Sequence, residues 1–208
     1  EKGLGTTLDV ILYDGIINVG DEIAIAGTEG AIAIKVRALL QPRPMKEILI
    51  EDRFQRVKSV TAAAGVKITA PNLEDIIAGS PVRVIRGDRD EMLAKIEEEM
   101  REINVKLSEI GITVRADTIG ALEALSKELE EKNIPIMRAE VGPVSRRDLI
   151  EISVMKDELY KTVLCFNVQL LPDAEAMVRD EEVDVKIFSN RVIYKLIDDY
   201  IDWRDELT

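Results

Sequence analysis

The sequence predicts a multi-domain β plus α/β chain: a small antiparallel β-barrel, then an α/β/α sandwich on a four-stranded, mainly parallel sheet. Three observations predict it. Short β-branched runs broken by glycine turns at close, regular spacing fill the chain up to Gly87. From Ile112 onward, apolar strand segments alternate with stretches of helical periodicity, the pattern of βα units. With 208 residues and 46% apolar content, the chain can bury two cores and is too apolar for disorder.

Residues 7–37 read as β structure. Leu8, Val10 and Leu12 alternate with Thr7, Asp9 and Ile11, and Asp14-Gly15 marks a tight hairpin turn. Gly20-Asp21 and Gly27-Thr28-Glu29-Gly30 punctuate the next turns, with Ile23–Ala26 and Ala31–Val36 as the strands between them. Residues 38–60 break the pattern. Pro42 and Pro44 flank Arg43 ahead of a charged run, which predicts a loop on the barrel surface. Strand signals resume at Ser59-Val60-Thr61, Val66-Lys67-Ile68 and Val82–Ile85, so the barrel spans 1–87.

Residues 88–110 read as a connecting helix. Met92, Leu93, Ile96, Met100, Ile103 and Leu107 recur at three- and four-residue steps, with Asp88, Asp90 and Glu91 in the first turn and Gly111 as the stop. Within it, Glu97-Glu98-Glu99 reads as a solvated face. The sandwich follows over 111–189. Ile112–Val114 is a strand, Asp117 or Thr118 caps the next helix, and Leu122, Leu125 and Leu129 place that helix on the sheet. Ile134–Met137 is the second strand, and Arg146–Val154 a weaker helix. Lys161–Val168 is a continuous apolar strand of the kind buried on both faces. Pro172-Asp173-Ala174 opens a further helix with Asp173 as cap, and Val183–Phe188 is the fourth strand. Residues 190–208 read as the start of a long helix. Its narrow seam comprises Ile193, Leu196, Tyr200, Trp203 and Leu207, with no stop signal, as expected of a rigid lever that runs on.

Composition excludes much chemistry. The chain has no histidine, which removes the commonest general base and metal ligand. A single cysteine, Cys165, lies among apolar residues and reads as a core thiol; it allows no internal disulfide and fits a reducing compartment. No apolar run approaches the roughly 20 residues of a membrane span. The net charge of −12 is uneven. Residues 33–67 hold eight Lys/Arg against three Asp/Glu, a candidate contact for phosphate backbone or, equally, a solvated loop of incidental charge.

No catalytic, cofactor or metal site is expected. There is no G-x-x-x-x-G-K-[ST], no G-x-S-x-G and no H-E-x-x-H. The turn from Asp117 to Gly120 has one glycine, no lysine and apolar residues behind it, so it reads as a packing turn. The alternative is a nucleotide-dependent α/β enzyme with a carboxylate-based site near Asp117, with Glu123 as its imagined partner.

Several strings together resemble a known family. V-R-A-D-T-I-G-A-L-E-A-L (114–125), F-N-V (166–168) and S-N-R-V-I-Y-K-L-I-D-D-Y (189–200) look like the third domain of the translation initiation factor 5B family, counterpart of bacterial initiation factor two. G-L-G-T-T-L-D-V-I-L-Y-D-G (3–15), V-G-D-E-I (19–23), K-V-R-A-L-L-Q-P-R-P (35–44), V-T-A-A-A-G-V-K-I (60–68) and A-G-S-P (78–81) resemble its second domain, a barrel like that of elongation-factor GTPases. The P-R-P and A-A-A-G strings lean toward the archaeal and eukaryotic branch.

The resemblance implies a cytoplasmic parent GTPase that joins ribosomal subunits and recognises initiator tRNA. GTP and Mg would belong to a domain before Glu1, and the tRNA-end-binding barrel would lie beyond the closing helix. What this chain would contribute is ribosome binding, with the barrel on small-subunit rRNA, and coupling between those two outer domains, as a monomer without membrane contact. The expected rRNA-contact residues are Arg37, Arg43, Lys46, Arg53, Arg56 and Lys58, chosen for their local charge excess.

Overall fold

The computed structural model describes residues 6–43, 54–101 and 105–207. The chain divides into two compact units, Glu1–Ile76 with Ser80–Glu102, and Ile77–Gly79 with Ile103–Thr208.

Among its described residues the first unit contains nine strands: β1 (Leu8–Leu12), β2 (Ile16–Asn18), β3 (Glu22–Gly27), β4 (Gly30–Lys35), β5 (Ala38–Pro42), β6 (Phe54–Val57), β7 (Ser59–Thr61), β8 (Ala64–Thr69) and β9 (Val82–Val84). They form three antiparallel sheets, ordered β1-β8-β5-β6, β4-β3-β9 and β2-β7. Alternation drives this arrangement. Ile17, Ile23, Ile25, Leu39, Val66 and Ile68 turn inward and form one core, each at most 4% exposed.

Three expectations for this region are corrected. Asp14-Gly15 does not close a hairpin, because β1 pairs with β8 and β2 with β7. The inward rows of those distant partners decide the pairing, and the Gly15 carbonyl instead accepts the Ala62 N–H at 3.0 Å. The expected loop over 38–60 contains β5 and β6, while residues 44–53 lie outside the described ones. Pro42 is tolerated because β8 pairs with β5 only as far as Leu40, so the missing N–H breaks no bond on that side. The helix expected over 88–110 is α1 (Arg89–Arg101). Ile103 lies outside the described residues, and Leu107 is exposed off the helix. There the Ser108 N–H donates to the Ile136 carbonyl at 2.7 Å, and this tertiary bond outweighs the helical periodicity. Ile96 of α1 packs against Ala24 and Ala26, so this helix belongs with the barrel core.

The second unit runs β10 (Ile112–Ala116), α2 (Ile119–Glu131), β11 (Ile136–Val141), α3 (Arg146–Ser153), β12 (Thr162–Phe166), α4 (Pro172–Arg179), β13 (Lys186–Asn190) and α5 (Ile193–Leu207). The four strands are all parallel, in the order β11-β10-β12-β13. Helices cover both faces. Leu122, Leu125 and Leu129 of α2 and Leu196, Ile197 and Tyr200 of α5 pack on one side with Ile112, Val114 and Leu164. Leu149 and Ile152 of α3 and Ala174 and Met177 of α4 pack on the other with Val163 and Cys165.

The strand ends differ from the sequence reading. β11 begins at Ile136 because the Pro135 carbonyl accepts the Ile112 N–H at 3.0 Å. A Cβ on Gly111 would lie 2.3 Å from that carbonyl oxygen, so Gly111 serves a close backbone approach and not a helix stop. β13 starts three residues later than expected. Asp173 is not the cap of α4; Leu171 is, with Pro172 in the first turn. Along α5, Leu207 is half exposed, so the buried stripe is Leu196, Ile197 and Tyr200, broader than a coiled-coil seam.

Candidate nucleic-acid interface

The sheet β1-β8-β5-β6 has an inner and an outer face, and its register sorts the charges. Leu8, Ile68, Leu39 and Val57 form one row across it, facing the core. The adjoining row is Asp9, Lys67, Leu40 and Arg56, on the opposite face. The Lys67 ammonium is engaged twice: its Nζ pairs with Asp9 at 2.6 Å and lies 5.2 Å from the Phe54 ring centroid. Arg56 is exposed and has no ion pair among the described residues.

Arg37 and Lys58 flank the other end of the β5–β6 ladder. The Arg37 N–H donates to the Thr69 carbonyl at 2.8 Å, and the Lys58 carbonyl accepts the Val19 N–H at 2.9 Å. Both side chains are exposed and, among the described residues, without a carboxylate partner. Arg43 follows the far end of β5 and is half-buried. It is six residues from Arg37, about 20 Å at the rise of an extended strand. Lys46 and Arg53 lie outside the described residues. The fold therefore brings Arg37, Lys58 and Arg56 onto one part of β5–β6 and sets Arg43 apart from them.

Around Asp117 the geometry is that of a packing turn. Thr118 caps α2, its hydroxyl accepting the Ala121 N–H at 3.3 Å, and Asp117 accepts the Asn167 side-chain amide. Among the described residues no three His, Cys, Asp or Glu side chains could hold a metal ion. Cys165 is fully buried, and burial pushes its thiol up to about 12, far from a nucleophile's range. Among the described residues no helix is long and apolar enough to cross a membrane.

Sequence reasoning missed one charged cluster. Arg115, 7% exposed on β10, pairs with Asp148 of α3 at 2.6 Å and with Glu140 of β11 at 2.8 Å. Arg138 joins Glu140 at 2.7 Å and also pairs with Glu151. Asp148 closes a capping box with Ser145, whose N–H it accepts at 2.7 Å. Burial pushes the Asp148 carboxyl up, but the Ser145 N–H and the Arg115 guanidinium outweigh it and hold it below its ordinary value. Two signals for this cluster stood in the sequence: an arginine inside the apolar strand I-T-V-R-A, and S-x-x-D at 145–148. Its carboxylates are saturated by arginines, so it positions α3 on the sheet and leaves no free acid or base.

Comparison with known proteins adds a second line. The family described as "Translation-initiation factor 2" matches residues 86–201, and "Elongation factor Tu domain 2" matches residues 5–83. A "Probable translation initiation factor IF-2" from Methanocorpusculum labreanum is 81% identical over 207 residues, covering 100% of this chain and 35% of that protein. One of the same name from Archaeoglobus fulgidus is 49% identical, covering 99% of this chain and 35% of its own. The crystal structure of GDP-bound aIF5B from Aeropyrum pernix superposes with a TM-score of 0.77 at 41% identity, over 99% of this chain and 35% of that one. The chain thus spans about a third of the length of the relatives it matches.

Proposed function

This chain belongs to the translation-initiation factor 2 family, and we propose that it acts as a ribosome-binding and coupling module without an active site of its own. In this reading the whole factor is a cytoplasmic GTPase that promotes ribosomal subunit joining. GTP and Mg are held by a domain outside this chain; the Aeropyrum pernix relative, 35% of which this chain covers, is a GDP-bound protein. The barrel contacts small-subunit rRNA through Arg37, Arg43, Lys46, Arg53, Arg56 and Lys58. The α/β unit couples the GTPase domain to an initiator-tRNA-binding domain through α5.

The observation that carries the rRNA contact is the set Arg37, Arg56 and Lys58: exposed cations, uncompensated among the described residues, on a chain of net charge −12. Cations that meet phosphates release counterions, and each contact adds about 0.7–0.9 to the slope of log affinity against log salt. Reversing all three to Glu in the full-length factor is expected to weaken small-subunit binding and flatten that slope by about two units. Equal affinity and an unchanged slope would overturn the assignment.

A further inference from the structure

The barrel exposes a band of apolar side chains that its core does not use. Ile11 is 78% exposed and Tyr13 80%, at alternate positions on and just beyond β1. Ile16 on β2 is 49% exposed and Val19 43%. Backbone pairings fix the course of this stretch along β8 and β7. Ile11 lies opposite Gly65, where an added Cβ would meet nothing within 4 Å, so open space adjoins it. The Gly15 carbonyl is tied to the Ala62 N–H, Ile16 lies opposite Thr61, and the Val19 N–H reaches the Lys58 carbonyl. The band therefore ends on Lys58, one of the exposed cations already described.

Isolated exposed apolar residues are ordinary, but a contiguous run with a projecting aromatic marks a contact surface. Its charges select the partner. Among the described residues, Asp9 near the band is paired with Lys67 at 2.6 Å and Asp21 with Arg86 at 2.8 Å. Arg37 and Lys58 face no carboxylate among the described residues. An aromatic platform beside uncompensated cations suits RNA, whose phosphates meet the cations while bases or riboses pack on the apolar groups.

We propose that Ile11, Tyr13 and Ile16 form an RNA-packing strip in which Tyr13 stacks on a base or ribose of ribosomal RNA. This rests on the rRNA-contacting role of the barrel and adds to it a component of binding that salt does not screen. Phosphate contacts set the slope of affinity against salt, whereas stacking shifts affinity at every salt concentration alike.

The test uses the full-length factor and purified small ribosomal subunits, titrated at several salt concentrations. Tyr13→Ala is expected to weaken binding by about five- to a hundredfold with an unchanged salt slope, as for the loss of one stacked base. Tyr13→Phe is expected to keep most of the affinity. A photoreactive phenylalanine analogue at position 13 is expected to crosslink to rRNA. Unchanged affinity for Tyr13→Ala, a changed slope, or crosslinking to a ribosomal protein or to the factor itself would overturn the strip. If Tyr13→Ala is silent while the Arg37, Arg56 and Lys58 reversal flattens the slope, the strip fails and the cationic contact stands. If the reversal is silent but Tyr13→Ala weakens binding and position 13 crosslinks to rRNA, the strip stands and the cationic assignment fails.

Discussion

Arg56, on the outer face of β6, is exposed and without an ion pair among the described residues, whereas Arg115, on β10, is 7% exposed and bonded to Asp148 at 2.6 Å. Both occupy strand positions facing away from the main apolar core of their unit. What differs is the cover. No helix packs over Arg56 among the described residues, while α3 closes over Arg115 and brings Asp148 and Glu151 with it. A guanidinium left in water retains its hydration and is available to a partner; one taken into the interior must be paired or it costs several kcal/mol, and Arg115 is paired through Nη2 while its buried Nε has no partner among the described residues. An exposed, unpaired cation is thus open to a partner, whereas a buried, paired one is committed to structure.

The largest expected effect tests that contrast directly. Arg115→Met leaves Asp148 and its neighbours without their central cation and is expected to destabilise the α/β unit by about 3–5 kcal/mol, read by urea denaturation. Arg138, 3.7 Å from the same Asp148 oxygen, screens part of the loss, so the lower half of that range is expected. Arg56→Met should change stability by no more than about 0.5 kcal/mol. Equal effects at the two sites would erase the distinction.

The same contrast explains what could be read in advance. Periodicity and glycine punctuation located the βα units, because Leu122, Leu125 and Leu129 must face the sheet and a run such as Val163–Cys165 must be buried on both sides. Pairing between distant strands was not legible. Nothing local in Leu8–Leu12 says that its partner is Ala64–Thr69 rather than the strand just after Gly15. The segment after α1 keeps helical spacing through Leu107, yet a bond to Ile136 draws it away. Among the candidate contact residues, composition found the cations but not their spacing, since Arg37 and Arg43 flank one strand, β5, just beyond its opposite ends. The Arg115–Asp148 pair joins residues 33 apart in the chain, beyond any local pattern.

A smaller effect follows from titration. The Asp148 carboxyl is held below its ordinary 3.8 despite burial, first by the Ser145 N–H and then by Arg115. Its contribution is fully present above the unfolded value and is lost as pH falls through the lower folded value. Stability of the chain, followed by denaturant midpoint, is therefore expected to drop more steeply below pH 3.8 than that of an Asp148→Asn variant. The variant should be less stable at neutral pH, with the two curves converging in acid. Parallel curves would mean that the pair does not carry the charge interaction assigned to it.

The smallest effect concerns the turn at Asp117. Thr118 accepts the Ala121 N–H at 3.3 Å, a long bond, and α2 is also held by three buried leucines. Thr118→Ala is therefore expected to cost about 0.5–1 kcal/mol, toward the lower end for a lost cap, with Thr118→Ser restoring it. A packing turn predicts that this is the whole consequence. Small-subunit affinity of the full-length factor should be unchanged once the variant is folded, in contrast to changes at Tyr13 or Arg56. If Thr118→Ala lowered ribosome binding while its stability fell by no more than the cap, the turn would have a partner of its own. The division between a contact surface on the barrel and a closed α/β unit would then no longer hold.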